Sequence, residues 1–416
     1  MISVFGLGFV GLTTALGFAE KGFKTYGIDN DIERLDNLRN FVLPFSEPGL
    51  LEPLKKRSGD SFFLTDDYQV AIQDSAIIFL CVGTPSKDDG AADLSFIFQV
   101  IDQILSVETL NEQVIVLKST VPPSTLSTKV LPYVQEKSKE CNRNIILASN
   151  PEFLREGYCW DDFTKPDRIV IGLENDSARH IFETLYKPFN APIYYVSFTT
   201  AEFIKYLSNT LLSTLISYSN EMSMLASSIG DINIQDAFKI LQEDKRWFGN
   251  PAPMKSYVHP GCGYGGYCLP KDTMALSKTG ELYGYETKIL NANLEVNESV
   301  KNFLWNNACG EISDGDKIGI LGLSFKPESD DVRFSPAKEI IELIQKDQDF
   351  EVYAYDPLAN QAFKKAYPHL KINYCDSLDD VLAVSDHTFL LTAWEEFKDN
   401  ADRIKSKSVF DFRYFL

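Results

Sequence analysis

The chain has 416 residues, 44% apolar and 24% charged, proportions of a folded protein and not of a disordered or fibrous one. Its length calls for two or three cores. With 40 Lys and Arg against 59 Asp and Glu, the net charge of −19 sets a repulsive surface before a nucleic-acid backbone and argues against that partner, while a small anionic ligand stays possible where cations gather.

The N-terminal "MISVFGLGFVGLTTALGFAEKG" is apolar but lacks a basic leader and is broken by glycines, so it reads as strand plus helix and not as an export signal. "ISVFGLG" is a strand stopping in glycines, "GLTTALGFAEKG" a helix with a glycine stop, and "KTYGIDND" a second strand ending in acid. This βαβ pattern carries G-x-G-x-x-G at Gly6, Gly8 and Gly11. Gly6 permits a tight turn, Gly8 lets backbone approach a pyrophosphate, and Gly11 lets helix and strand pack closely. Asp29, at the end of the next strand, suits a ribose diol and would repel a 2'-phosphate, which selects NAD over NADP.

Three further apolar runs, "AIIFLCVGTP" (76–85), "QVIVLKSTVPP" (113–123) and "NIILASNPEF" (144–153), read as successive parallel strands. Thr84, Thr120 and Glu152 then share the edge of the sheet that lines the ligand crevice. Next comes a long helical pattern from "TTAEFIKYLSNT" to "SSIGD", with capping-box spacing at Thr199 and Glu202 and a stop at Gly230. About thirty residues give a rod of roughly 45 Å. Its apolar positions Phe203, Leu207, Leu211, Leu212 and Leu215 cover more than one face, so burial between domains or in a homodimer is expected. Near the C-terminus, "KIGILGLSFKP" and "FEVYAYDP" repeat the strand–turn and strand–acid opening. Ser324 and Pro327 stand where glycines would be needed, so a nucleotide-bearing substrate is expected there and not a second dinucleotide. The fold class is therefore α/β, two doubly wound domains joined by a long central helix: 1–196 for NAD, 197–300 for the long helix and a cysteine loop, and 301–416 for the substrate nucleotide. No run of about 18 apolar residues occurs, so neither a membrane span nor a membrane partner is expected. Seven scattered cysteines without a C-x-x-C pair point to a reducing cytoplasm.

Polar residues that a plain core does not need occur in five places. Thr120 ends a buried strand, as a terminator or as a ligand-facing group. In "NPEFLREG", Glu152 and Glu156 share a face if a helix begins there. Lys205 and Asn209, at i and i+4, face either solvent or a cleft. Lys326 and Arg333 either hold a substrate anion or form a surface pair. The fifth is "GCGYGGYCLPKD", 261–272. No metal is expected at it, because a knuckle wants four Cys or His ligands and only His259 accompanies Cys262 and Cys268. A P-loop would need Lys-Ser/Thr after the glycines. There remains a backbone able to pass close to a ligand and present Cys268 as nucleophile, with Lys271 and Asp272 three and four residues on; Cys262 is assigned to packing.

"GLGFVG", "CVGTP", "KSTVP", "NPEFLREG", "AEFIKYLSNT", "GCGYGGYCLPKD" and "LGLSFKPESDDVRFSP", in this order over nearly the whole chain, resemble the nucleotide-sugar 6-dehydrogenases. The resemblance implies Rossmann-like domains and oxidation of a sugar C6 alcohol to a carboxylate with two NAD per turnover, through a thiohemiacetal and a thioester at Cys268. It implies that Lys205, Asn209 and Asp272 polarise the C6 oxygen, stabilise the oxyanion and position water or base. Thr120 and Glu152 would hold the hydrolytic water, and Glu156 would lie near the nicotinamide. For NAD it adds Val10, Arg34, Thr84, Lys271 and Arg333 to Asp29 and the glycines. For the sugar nucleotide it implies Glu152, Phe153, Leu154, Arg155, Glu156, Lys205, Asn209, Tyr257, Val258, His259, Pro260, Gly261, Gly265 and Lys326. UDP-glucose is the expected substrate, with GDP-mannose or a UDP-N-acetylhexosamine as alternatives. Tyr267 stands where enzymes for N-acetylhexosamines usually have His. Two departures are Gly83, where many members have Pro, and "HPGC" at 259–262 in place of "NPSF". A two-electron hydroxyacid dehydrogenase shares the long helix with Lys and Asn, and Cys268 separates the two readings.

Overall fold

The strands expected at the N-terminus open an eight-stranded sheet. The sheet is built of β1 (Ile2–Phe5), β2 (Thr25–Ile28), β3 (Phe62–Thr65), β4 (Ile77–Leu80), β5 (Gln113–Leu117), β6 (Ile145–Ser149), β7 (Ile169–Leu173) and β8 (Ile193–Val196), in the order β3-β2-β1-β4-β5-β6-β7-β8, of which β3, β7 and β8 are not among those expected from the sequence. This computed structural model describes all residues except 46, 86–91, 110–111, 156, 250–251, 253, 255–256, 258–259, 267 and 348–349; inside helices, the side chains at 213, 216–217, 220, 268, 271–272, 275–276, 278, 282 and 347 also lie outside the description. Two compact units divide the chain, Met1–Thr214 and Leu215–Leu416.

In the first unit, Val4, Phe79, Val114 and Val116 point into one buried cluster while Phe5, Ile78, Leu80, Ile115 and Leu117 point into another. Both faces are covered, which explains the near-continuous Val/Ile/Phe runs. β4, β5 and β6 are parallel neighbours, so their C-terminal ends and the residues that follow share one edge. The run of parallel strands stops there, because β7 pairs antiparallel to β6. The strand order reverses between β1 and β4, and the glycine turn after β1 opens at that switch point.

The long helix spans Phe198–Ile229. Its start differs from the expected capping box: Ser197 Oγ accepts from Thr200 N at 3.2 Å, and the Glu202 carboxylate is drawn away to accept from Leu126 N at 2.8 Å. A tertiary partner outcompetes the local cap. The stop is as expected, with Gly230 at φ +79°. Phe203, Leu207, Leu211, Leu212 and Leu215 are exposed on this helix, and no described helix is long and apolar enough to cross a membrane.

The second unit contains β9 (Lys317–Leu321), β10 (Glu351–Tyr355), β11 (Ile372–Tyr374), β12 (His387–Leu390) and β13 (Ser408–Asp411), all parallel, in the order β11-β10-β9-β12-β13. The architecture is α/β with two Rossmann-like sheets, as expected from the sequence.

Candidate active site

The N-terminal turn has the geometry that a pyrophosphate cradle requires. Gly6 sits at φ +86°, and a Cβ at Gly11 would lie 1.7 Å from Gly6 O, so helix Phe9–Glu20 meets β1 at backbone contact. A Cβ at Gly8 would meet nothing within 4 Å, which leaves the helix N-terminus open to an anion. Gly11→Ala is therefore expected to abolish NAD binding and to cost about 1–3 kcal/mol or more through overpacking; dye-monitored unfolding and NAD fluorescence titration check both. Asp29 Oδ2 accepts from Leu7 N at 2.6 Å and from Arg34 Nη1 at 2.8 Å. The acid is thus fixed beside the turn with Arg34 against it. Val10 is half-buried in the first turn of the helix.

At the strand ends, Thr84 Oγ1 donates to Thr120 O at 2.8 Å, joining two of the residues expected at this edge. The segment 151–155 after β6 is irregular, so no helix begins at Glu152; Glu156 lies outside the described residues. Glu152 instead folds back. Its Oε2 accepts from Leu154 N at 2.6 Å, and its Oε1 meets Lys205 Nζ at 2.7 Å. The two side chains are only 11% and 9% exposed, so little water screens the pair, and removing either partner alone would leave a charge that is costly to bury. Glu152, Phe153, Leu154, Arg155, Lys205 and Asn209 all line one cavity of ≈580 Å³. The Phe153 ring lies under the Arg168 guanidinium at 4.2 Å and the Lys205 ammonium at 5.9 Å. Arg155 is committed to Asp162, donating to its carboxylate from Nη2 at 2.6 Å.

In the second unit, Cys268 is the first residue of helix Cys268–Leu282. The side chains of Cys268, Lys271 and Asp272, and all of Val258, His259 and Tyr267, lie outside the description. The glycines ahead of Cys268 pack the loop against its own unit: a Cβ at Gly265 would fall 2.1 Å from Phe334 O, and Gly266 N donates to Arg333 O at 2.8 Å. Cys262 is fully buried in the core with Leu304 and Trp305, and burial pushes its thiol pKa up, against the pull of the Arg413 guanidinium. The Gly261 backbone runs along that guanidinium, whose Nη1 would lie 2.8 Å from an added Cβ. Tyr257 is exposed, with its OH 3.4 Å from Arg246 Nη1, and Pro260 is exposed as well. Lys326 stands over its neighbour Phe325 at 5.4 Å, and Arg333 donates to Asp331.

The acid of the second strand–acid repeat is spoken for. Asp356 Oδ2 accepts from Leu323 N, Ser324 N, Ser324 Oγ and Trp394 Nε1 at 2.8–3.2 Å, and its Oδ1 accepts from Leu358 N and Ala359 N. A carboxylate so saturated has little left for a ribose diol.

Sequence reasoning missed three contributors. Glu47 is buried and accepts from Gly157 N at 2.8 Å and Cys159 N at 2.9 Å, pinning the end of "NPEFLREG" from 110 residues away. Arg413 lies against the cysteine loop. Lys118, in the quoted "KSTVPP", lines the cavity with Asn150 and Tyr186.

Models of the UDP-glucose/GDP-mannose dehydrogenase family match the chain three times: the NAD binding domain at 1–190, the central domain at 199–299 and the UDP binding domain at 319–416. The chain is 36% identical over 427 residues to UDP-glucose 6-dehydrogenase of Rickettsia conorii, covering 100% of this chain and 95% of that protein. It is 34% identical over 423 residues to UDP-glucose 6-dehydrogenase YwqF of Bacillus subtilis, covering 99% and 93%. Among solved structures, GDP-mannose dehydrogenase from Pseudomonas aeruginosa, crystallised as a ternary complex, superposes with a TM-score of 0.86 at 30% identity, covering 100% of this chain and 97% of that one. With its glycine turn, the acid fixed beside that turn and the strand-edge cavity in place, the chain belongs to the UDP-glucose/GDP-mannose dehydrogenase family and is an NAD-dependent nucleotide-sugar dehydrogenase.

Proposed function

We propose that the protein oxidises C6 of UDP-glucose by four electrons to give UDP-glucuronate, with a thiohemiacetal and then a thioester at Cys268. The observation that carries this reading is the buried Glu152–Lys205 pair, 2.7 Å apart in the strand-edge cavity: an ammonium able to donate to a sugar oxygen, beside a carboxylate able to take a proton from water. The Gly6–Gly11 turn and Asp29 would hold NAD, which would supply the hydride acceptor, a fresh molecule for each of the two oxidations.

The residues of the chain do the rest. Lys205 and Asn209 donate to the C6 oxygen as its proton leaves and hold the charge that develops on it. Asp272 positions the proton acceptor. The Cys268 sulfur adds to the aldehyde carbon and keeps it bound; loss of a second hydride and the hydroxyl proton leaves a thioester. Water, held by Thr120 and activated by Glu152, then displaces the thiolate and releases the acid. Asp29, Arg34, Val10, Thr84, Glu156, Lys271 and Arg333 serve the cofactor. Phe153, Leu154, Arg155, Tyr257 to Gly261, Gly265 and Lys326 serve the sugar nucleotide. The division of labour follows the segments 1–196, 197–300 and 301–416, and the exposed leucines of the long helix are covered by a second copy in a homodimer, which light scattering checks.

UDP-glucose is favoured by the names of the 34–36% identical relatives. GDP-mannose is the second reading, favoured by the likeness to the Pseudomonas aeruginosa enzyme. Supplying each nucleotide sugar in limiting amount decides between them. The expected result is about two NADH per UDP-glucose consumed, and little NADH from the others. A ratio of one, with an aldehyde or ketone as final product, refutes the four-electron reading; activity on GDP-mannose alone refutes the substrate.

A further inference from the structure

Lys118 directly follows β5 in the interior, only 5% exposed, and no carboxylate lies within ion-pair distance of it among the described residues. The other buried lysines among the described residues are both paired with carboxylates, Lys205 with Glu152 and Lys301 with Glu298 and Glu339. Lys118 Nζ instead donates to Asn150 Oδ1 at 3.0 Å and Asn150 O at 3.4 Å, with the Phe163 ring 5.8 Å away. An ammonium held by neutral acceptors alone is expensive to bury. Burial accordingly lowers its pKa, with Cys81, Glu152 and Lys205 as the neighbouring titratable groups. Because the folded chain gives up this proton more readily than the unfolded chain, the lysine costs stability at neutral pH, and the cost fades as pH rises towards the ordinary lysine value.

What it secures is Asn150. Asn150 Oδ1 also accepts from Tyr186 OH at 2.6 Å, Nδ2 donates to Val170 O at 2.9 Å, and the backbone N donates to Leu117 O at 2.9 Å. The amide is thus fixed at every polar atom. Next in the chain come Pro151, with its restricted φ, and Glu152 against Lys205. We propose that Lys118 is a positioning residue for the oxidation: through Asn150 it fixes the turn that delivers Glu152 to Lys205, an assignment that rests on the reading of that pair given above.

The test uses the full chain with NAD and UDP-glucose. Lys118→Met is expected to lower kcat by about 30-fold or more, as misplacement of a reacting group does, with the Kd for NAD within about twofold and Tm equal to or above that of the unsubstituted protein. Lys118→Gln, whose amide still donates to Asn150, is expected to recover kcat to within about fivefold. A purely structural lysine would move Tm and spare kcat. The proposal is overturned by retained kcat in Lys118→Met, by lost Tm with retained kcat, or by a Gln variant no better than Met. Should Lys118→Met not fold, Asn150→Ser has to show the same kcat loss, and retained kcat there overturns the proposal. Glu152→Gln and Lys205→Ala run in parallel. If both keep kcat, the reading of the pair falls and this proposal with it; if both lose kcat while Lys118→Met does not, only the role of Lys118 falls.

Discussion

Replacing Cys268 by serine is expected to abolish acid formation, lowering kcat for UDP-glucuronate by at least about 10³-fold, the scale on which enzymes lose rate when a nucleophile is removed. The thiol adds to an aldehyde as a thiolate, and the start of helix Cys268–Leu282 favours an anion there. A serine hydroxyl at the same position stays protonated at neutral pH and adds poorly. NAD affinity is expected to stay within about twofold, because the glycine turn and Asp29 are untouched. Product chromatography with NADH counting checks the first statement, and fluorescence titration the second. Acid formed at a rate near that of the unsubstituted protein would remove Cys268 from the mechanism.

The second large effect belongs to Lys205. In Lys205→Ala, Glu152 loses its only ion-pair partner among the described residues and keeps the Leu154 N–H. A carboxylate left alone at 11% exposure costs about 3–5 kcal/mol if water stays out, and less to the extent that the cavity admits it. Loss of a donor to the C6 oxygen is expected to lower kcat by about 10²–10³-fold. The two effects separate in the double variant Glu152→Leu/Lys205→Met, where both charges are gone: Tm is expected to recover most of its loss and kcat none. Recovery of activity along with stability would show that the pair serves the fold alone. Calorimetry beside steady-state kinetics on the single and double variants provides the comparison.

The parts of the site that were legible in the sequence are those where a residue type is forced by local geometry. Gly6 and Gly11 could be read because a positive φ and a backbone contact leave room for no other side chain. Thr84 and Thr120 could be placed together because parallel strands end on one edge, and Cys262 could be assigned to packing, as its place in the core shows. The misses have a common cause. Glu202 has the spacing of a local cap, yet its carboxylate binds Leu126 N, 76 residues away. Glu152 has helical spacing to Glu156, yet Pro151 and the attraction of Lys205 hold it in an irregular turn. β7 reverses direction against β6, and strand direction is a property of the sheet and not of the five residues in the strand. Lys118, Asn150 and Tyr186 stand 32 and 36 residues apart, so nothing short of the folded chain shows that they form one network.

The most direct test of the central claim is intact-protein mass spectrometry after rapid acid quench of the enzyme with NAD and UDP-glucose. The expected result is a covalent adduct of the sugar nucleotide that maps to the Cys268 peptide and is absent from Cys268→Ser. A fully active enzyme that never carries such an adduct, or that carries it on another residue, would contradict the thioester route.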